Sequence, residues 1–172
     1  MDGIAWAASA MSAAQTRLEI AAQNLANGST DGFRRSLARG WLQARGVRVD
    51  PVRDDGQGAL RRTGRALDRA IVGEGAFVLR GAGGRTIHTR DGAFTRDRFG
   101  ALRDDLGRTL VGTSLARGSY VRGGFLESSN VDAIGEMVNV LEAERSFEAA
   151  QKVLSAIDQT AQQANSKMSE FK

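Results

Sequence analysis

Residues 140–168 read VLEAERSFEAAQKVLSAIDQTAQQANSKM, and Val140, Ala143, Phe147, Ala150, Leu154, Ile157, Ala161, Ala164 and Met168 recur in them at alternating steps of three and four. With about 3.6 residues per helical turn, that rhythm keeps one narrow apolar stripe in line along the whole segment. No Gly or Pro interrupts it. The pattern predicts a helix over about residues 131–169, long against a mean of roughly 11–12 residues. A narrow seam on so long a helix suits coiled-coil packing better than a globular core. An ordinary two-helix bundle that closes on itself is the alternative. Asn130 or Asp132 offers a side-chain oxygen to cap the helix start.

The same rhythm opens the chain. Ile4, Ala7, Met11, Ala14, Leu18, Ala21 and Leu25 follow steps of three and four through a stretch, residues 1–27, that holds no Pro and one Gly. This predicts a first helix ending at Asn27-Gly28, where glycine would accept the left-handed conformation of a C-terminal cap. Three of the seven stripe residues are Ala, so backbones can approach closely while little apolar area is buried. Only Ile4, Met11, Leu18 and Leu25 are large, each worth about 1.5–3 kcal/mol if fully buried. A helix with that little to bury needs neighbours.

Between the helices the texture changes. Residues 56–124 hold most of the 21 glycines. Short β-prone runs near residues 70–72, 76–80, 86–90, 93–96 and 110–111 are separated by Gly-Gly and Asp-Gly signals, which predicts a small antiparallel β domain. Residues 34–55 carry six Arg and Pro51 and read as an extended connector. The expected organisation is α+β: an N-terminal helix over 1–33, a connector over 34–55, a β domain over 56–124 and a C-terminal helical part over 125–172, the two ends pairing as a coiled coil. Phe33, Trp41, Phe77, Phe94, Phe99 and Phe125 are expected to anchor the β core or its junction with the helices.

Charge divides the chain at the same places. The net charge of +4 combines acidic ends, −2 over residues 1–33 and −4 over 123–172, with a middle of +10 that holds 19 Arg. Arginine at that density could neutralise nucleic-acid phosphates. Here it is spread out and interleaved with nine acids, and no base-stacking aromatic motif accompanies it. No nucleic-acid partner is expected, although an Arg-rich binding module and a closed helical adaptor are the rival function classes.

Catalysis finds little support. His88 is the only histidine and Cys is absent, so thiol chemistry, disulfides and thiolate metal sites are ruled out. Asp54-Asp55 and Asp104-Asp105 sit in expected turns, and neighbouring carboxylates of that kind rarely converge on one substrate. The glycines of residues 73–84 lack a Gly-Lys-Ser/Thr or Gly-x-Gly-x-x-Gly pattern, so hairpin turns explain them better than a phosphate loop. No catalytic, cofactor-binding or metal site is expected. Uncharged stretches at residues 3–16 and 20–30 are too short and too polar to span a bilayer. The start, Met1-Asp2-Gly3, lacks the basic opening of a cleavable secretory signal.

Asn24, Asn27, Thr30 and Gly32 are not explained by periodicity, yet they crowd turn-prone residues at the helix exit. The stretch NLANGSTDGFR at residues 24–34 resembles the N-terminal signature of the flagellar basal-body rod and hook proteins. Residues 63–71, TGRALDRAI, are similar to that family's Leu-Asp-x-Ala-Ile strand entry, here Leu67, Asp68, Ala70 and Ile71. Gly73-Glu74-Gly75-Ala76-Phe77 stands where the family has Gly-Asp/Asn-Gly-Phe-Phe, and Thr89-Arg90-Asp91-Gly92-Ala93-Phe94 matches Thr-Arg-x-Gly-x-Phe. Residues 124–132, GFLESSNVD, with Asn130, Val131 and Asp132, followed by Glu136-Met137-Val138 and Phe147-Glu148-Ala149, resemble the C-terminal signature. These motifs fall in order along most of the chain.

The resemblance implies a rod-type axial subunit with no enzymatic role. Such a subunit leaves the cytoplasm by the flagellar type III export apparatus without signal cleavage. It then joins other rod subunits in a helical tube whose inner wall is paired terminal helices. The seam residues Ile4, Met11, Leu18, Leu25, Val140, Phe147, Leu154 and Ile157 become the expected subunit interface. The helix-exit form leans towards the proximal rod members, while the distal rod protein also fits. Ala76 departs from the family's Phe, and residues 112–123 form only a short link where longer members carry an outer domain. An anionic cell-wall polymer is a candidate contact for the basic middle.

Overall fold

The computed structural model describes residues 2–170, and Met1, Phe171 and Lys172 lie outside the described residues, as does the Met168 side chain. Two helices, α1 (Asp2–Ala26) and α2 (Ala133–Glu170), flank the strands β1 (Ser36–Gln43), β2 (Gly46–Arg53), β3 (Leu60–Arg62), β4 (Arg69–Val72), β5 (Gly75–Arg80), β6 (Thr86–Thr89), β7 (Thr95–Arg96), β8 (Leu102–Arg103), β9 (Thr109–Leu115), β10 (Tyr120–Gly123) and β11 (Phe125–Glu127). The class is α+β, with small antiparallel sheets. Two compact units share the chain. One comprises Met1–Leu25, Ser36–Arg53 and Ala133–Lys172, and the other Ala26–Arg35 and Asp54–Asp132.

In the helical unit, residues 36–53 form more than a connector. β1 and β2 pair antiparallel along their full length, from Ser36 opposite Arg53 to Gln43 opposite Gly46. The alternation Val47, Val49 supplies the apolar face that this hairpin turns to Ala13 and Ile20 of α1. Interspersed Arg and Pro51 disguised that alternation as an extended link; Pro51 is tolerated because β2 has a partner on one side only. At the hairpin's tip Gly46 has φ 148°, and a Cβ there would lie 2.1 Å from Ser9 Oγ, so the turn closes directly on the helix.

The β unit is built around β5. Its five-stranded sheet has the order β6-β5-β9-β8-β7, and β4 pairs with β10 and β3 with β11 in separate two-stranded ladders. Ile71, Phe77, Leu79 and Phe94 form the buried core, with Phe77 and Phe94 edge-to-face at 5.2 Å between ring centroids. Trp41 and Phe99 do not serve as anchors: they are 50% and 78% exposed, on the hairpin and in the β7–β8 turn. Gly112 is also not in a link, because β9 continues to Leu115 and only residues 116–119 separate it from β10. Phe77→Ala should lower the stability of this unit by about 3–5 kcal/mol, as a buried aromatic lost from a small core does. A urea titration that follows the β signal reads it directly.

Candidate assembly interface

The helical unit presents the seam. On α2 the half-buried or buried positions between Glu136 and Ile157 are Glu136, Val140, Ala143, Phe147, Ala150, Leu154 and Ile157, and every other residue of that stretch is exposed. On α1, Ala7, Ala14 and Ala21 are buried, Met11, Leu18 and Leu25 are half-buried, and Ile4 is exposed. Two contacts tie the helices together at their ends. A Cβ on Gly3 would lie 3.2 Å from Ile157 Cδ1, and Asn24 Nδ2 donates to Glu136 Oε1 at 3.1 Å. The two helices therefore lie alongside with opposite directions.

Asn24 explains why the α1 exit needs an amide. It is fully buried, its Oδ1 accepts from Ser36 N–H at 2.8 Å, and its Nδ2 donates to Ser36 O at 2.8 Å as well as to Glu136. One side chain thus completes the first residue of β1 and reaches α2. Glu136 Oε2 is held in turn by Asn139 Nδ2.

Within the β unit, the turns after α1 are fastened to the segment that leads into α2. Asn27 and Thr30 close a turn through Thr30 N–H to Asn27 O at 3.1 Å. Gly28 is not among the positive-φ glycines, so the left-handed position expected at the helix end falls on Gly32 instead, at φ 70°. A Cβ on Gly32 would meet Asp91 N at 2.2 Å. Gly32 N–H donates to Glu127 O at 2.6 Å, and Asn130 N–H to Phe33 O at 3.4 Å. Asn130 spends its side chain here rather than capping α2: Oδ1 accepts from Arg35 N–H at 2.7 Å, and Nδ2 donates to Asp54 O and Gly56 O. Val131 N–H is held by Ser129 Oγ, and Asp132 is exposed.

The centre of this joint is charged and dry. Glu127 and Arg90 are each about 1% exposed, and Arg90 Nε meets Glu127 Oε2 at 2.9 Å. Arg34 Nη2 meets Glu127 Oε1 at 3.1 Å, and Gly58 N–H donates to the same oxygen at 3.0 Å. The rest of the Arg90 fork donates to the carbonyls of Gly73 and Gly75 at 2.8 and 3.0 Å. Gly73 and Gly75, at φ 90° and 144°, turn those carbonyls inward. Leu67 is half-buried and Asp68 buried, with Asp68 Oδ2 on Arg65 Nε at 2.8 Å and its carbonyl accepting from Gly124 N–H.

Three carboxyls of the joint depart from their ordinary value. The Gly56 N–H, then Arg35, hold Asp54 below it. Burial pulls Asp68 upward, but hydrogen bonds from Arg65 and Thr63 leave it lowered. Burial raises Asp91. A lowered carboxyl stabilises above its unfolded value and loses that contribution as pH falls through the folded one. Asp54 and Asp68 therefore make acid, below about 3.8, the condition that loosens the joint.

Among the described residues there is no group of three or more His, Asp or Glu able to hold a metal ion, and no helix is long and apolar enough to cross a membrane. His88 is exposed on β6.

Comparison with known proteins agrees with this architecture. A model described as flagella basal body rod protein matches residues 4–34, and one described as flagellar basal body rod FlgEFG protein C-terminal matches residues 122–167. The flagellar basal-body rod protein FlgG of Agrobacterium fabrum is 26% identical over 254 aligned positions, which take in 94% of this chain and 97% of that relative. Both ends of the chain, and its likeness to FlgG along nearly its whole length, support a rod-type flagellar axial protein. Hook proteins FlgE of Brucella abortus and Salmonella typhimurium are 36% and 34% identical over 60% and 62% of this chain, which spans only 29% and 28% of their length. The chain is shorter than FlgG: 94% of its 172 residues fill about 162 of the 254 aligned positions, which leaves about 92 with no counterpart here.

Both matched ends of the axial subunit coincide with the parts described above: α1 and its exit, then β11 and α2. The charged centre was missed by sequence reasoning. Arg90 and Glu127 lie inside two of the quoted motifs, yet a lone Arg after a strand and a lone Glu before Ser-Ser-Asn carry no signal of each other. Gly32→Val should cost about 1–3 kcal/mol in backbone strain and push against Asp91. Glu127→Ala should cost about 3–5 kcal/mol, since it leaves two buried guanidinium groups uncompensated. Thermal unfolding of both variants beside the parent measures the two losses, and an unchanged midpoint for Glu127→Ala would refute the assignment of the joint's centre.

Proposed function

We propose that this subunit polymerises, with its own copies and neighbouring rod subunits, into the helical tube of the flagellar rod, with α1 and α2 paired as a coiled coil in the tube's inner wall. One observation carries the reading. A single chain covers its own seam only in part: Phe147, Leu154 and Ile157 stay half-exposed, Ile4 is 45% exposed, and Ala161 and Ala164 are exposed. The register supports the pairing. Contacts at Gly3–Ile157 and Asn24–Glu136 bring the stripe Ile4, Ala7, Met11, Ala14, Leu18, Ala21 level with Ile157, Leu154, Ala150, Phe147, Ala143, Val140, step for step.

The rest of the reading follows from assembly. A heterologous contact that does not close makes a filament, and a tube so made transmits torque while its lumen serves as the export channel. The subunit leaves the cytoplasm through the flagellar type III apparatus with its N-terminus intact. The β unit, where most of the Arg reside, offers a basic surface to neighbours or an anionic cell-wall polymer. The short turn at residues 116–119 favours a rod member reduced to its inner parts, of the proximal kind.

Leu154→Asp puts a charge on the seam and should abolish assembly while the β unit keeps its fold. Electron microscopy of basal bodies, with circular dichroism of the purified variant, reads both outcomes. Normal rods from that variant would overturn the seam as the interface. N-terminal sequencing of the exported protein should return the uncleaved start.

A further inference from the structure

Two exposed surfaces of the helical unit are left over by the seam. The first lies on α2, on the flank beside it. Met137, Val138 and Leu141 are 53%, 48% and 54% exposed, and their spacing places them on one face. Glu144 and Glu148, also exposed, continue that face. The second is the outward side of the β1–β2 hairpin. Trp41 stands opposite Arg48 in the ladder, Arg39 lies 5.9 Å over its ring, and Leu42 at the tip is 81% exposed beside Arg45.

These surfaces match in character and cannot meet within one chain. The hairpin runs along α1 with its base at Asn24, through Ser36, and its tip at Ser9, whose Oγ accepts from Val47 N–H at 3.3 Å. Glu136, at the start of α2, is also at Asn24. Fifteen residues of helix separate Ser9 from Asn24, roughly 22 Å. The basic aromatic tip, level with Ser9, and the apolar patch, which begins at Met137 beside the Asn24 end of α1, are therefore separated along the helices. A second copy displaced along the helices by about that rise brings one level with the other.

We propose that the hairpin tip of one copy docks on the Met137–Val138–Leu141 face of α2 in a second copy. Trp41 and Leu42 cover the apolar patch, while Arg39 and Arg45 face Glu144 and Glu148. This rests on the reading of the chain as a polymerising subunit and adds a head-to-tail contact separate from the seam. Tip and patch are different surfaces, so after docking one copy keeps a free patch and the other a free tip, and the contact propagates rather than closes.

The absence of Cys makes the test direct. Leu42→Cys and Met137→Cys are prepared as separate full-length variants, mixed at high concentration and oxidised. The expected product is a disulfide dimer of one copy of each, at several times the yield of either variant alone. Arg39→Glu with Arg45→Glu in the first variant should cut that yield about fivefold, as two lost charge pairs would. Glu144→Arg with Glu148→Arg in the second should restore it. Sedimentation of the unmodified protein runs in parallel. If it forms large species but no mixed dimer appears, this contact is overturned and assembly stands. If it stays monomeric and no mixed dimer appears, the contact and the assembly reading both fail. A yield unaffected by the charge reversals overturns the proposed orientation.

Discussion

The carboxylate of Glu127 receives two guanidinium groups and a backbone N–H in a site closed to water, and the β unit is organised by what those donors are attached to. Arg34 belongs to the segment leaving α1, Gly58 N–H to the segment before β3, and Arg90 to the end of β6. Arg90 in turn gathers the carbonyls of Gly73 and Gly75 between β4 and β5. A buried ion pair is not in itself a strong source of stability, because desolvation offsets much of the Coulomb gain. Its value here is geometric. Three distant stretches of chain have to reach one carboxylate, which leaves few alternative arrangements for any of them.

The outer layer of that joint depends on close approach. Gly32 turns the chain where any side chain would strike the backbone of Asp91, and Asn130 bonds to Arg35, Asp54 and Gly56 at once. Asn24 does the corresponding task in the helical unit, where its amide stands in for a neighbouring strand opposite Ser36. These residues share a property: short polar side chains, or none, at places where backbones must come within hydrogen-bonding distance. The helix exit is elaborate because it serves as fastener as well as turn.

Much of this fold was legible in the sequence, and the physics says which part. Periodicity gave α1 and α2 nearly to their ends, since one narrow stripe over some ten turns is a strong signal. The strands around Phe77 were marked by glycine turns on both sides. The β1–β2 hairpin was hidden because its apolar face has only Val47 and Val49, flanked by Arg48, Asp50 and Pro51. Trp41 and Phe99 misled because an aromatic residue is read as core by default, whereas both stand exposed. Gly28 misled for a different reason: the helix unwinds through several turns before a left-handed residue is required, four positions later. The Glu127 centre was out of reach, because partners separated by 37 and 93 positions leave no local trace.

The turn between β9 and β10 also says something about how such subunits differ in size. Residues 116–119 make one tight reversal, Ser119 N–H to Ala116 O, with Gly118 at φ 84° in open space. β9 is fixed by β5 and β10 by β4, so each strand holds its register without help from the residues joining them. Lengthening a loop adds closure entropy only logarithmically, about 0.6 kcal/mol per doubling. A bulky module could be spliced between Ala116 and Ser119 with little strain on either ladder. The turn is a natural docking port for extra mass, a point where a slender subunit and a stout one can share the same frame.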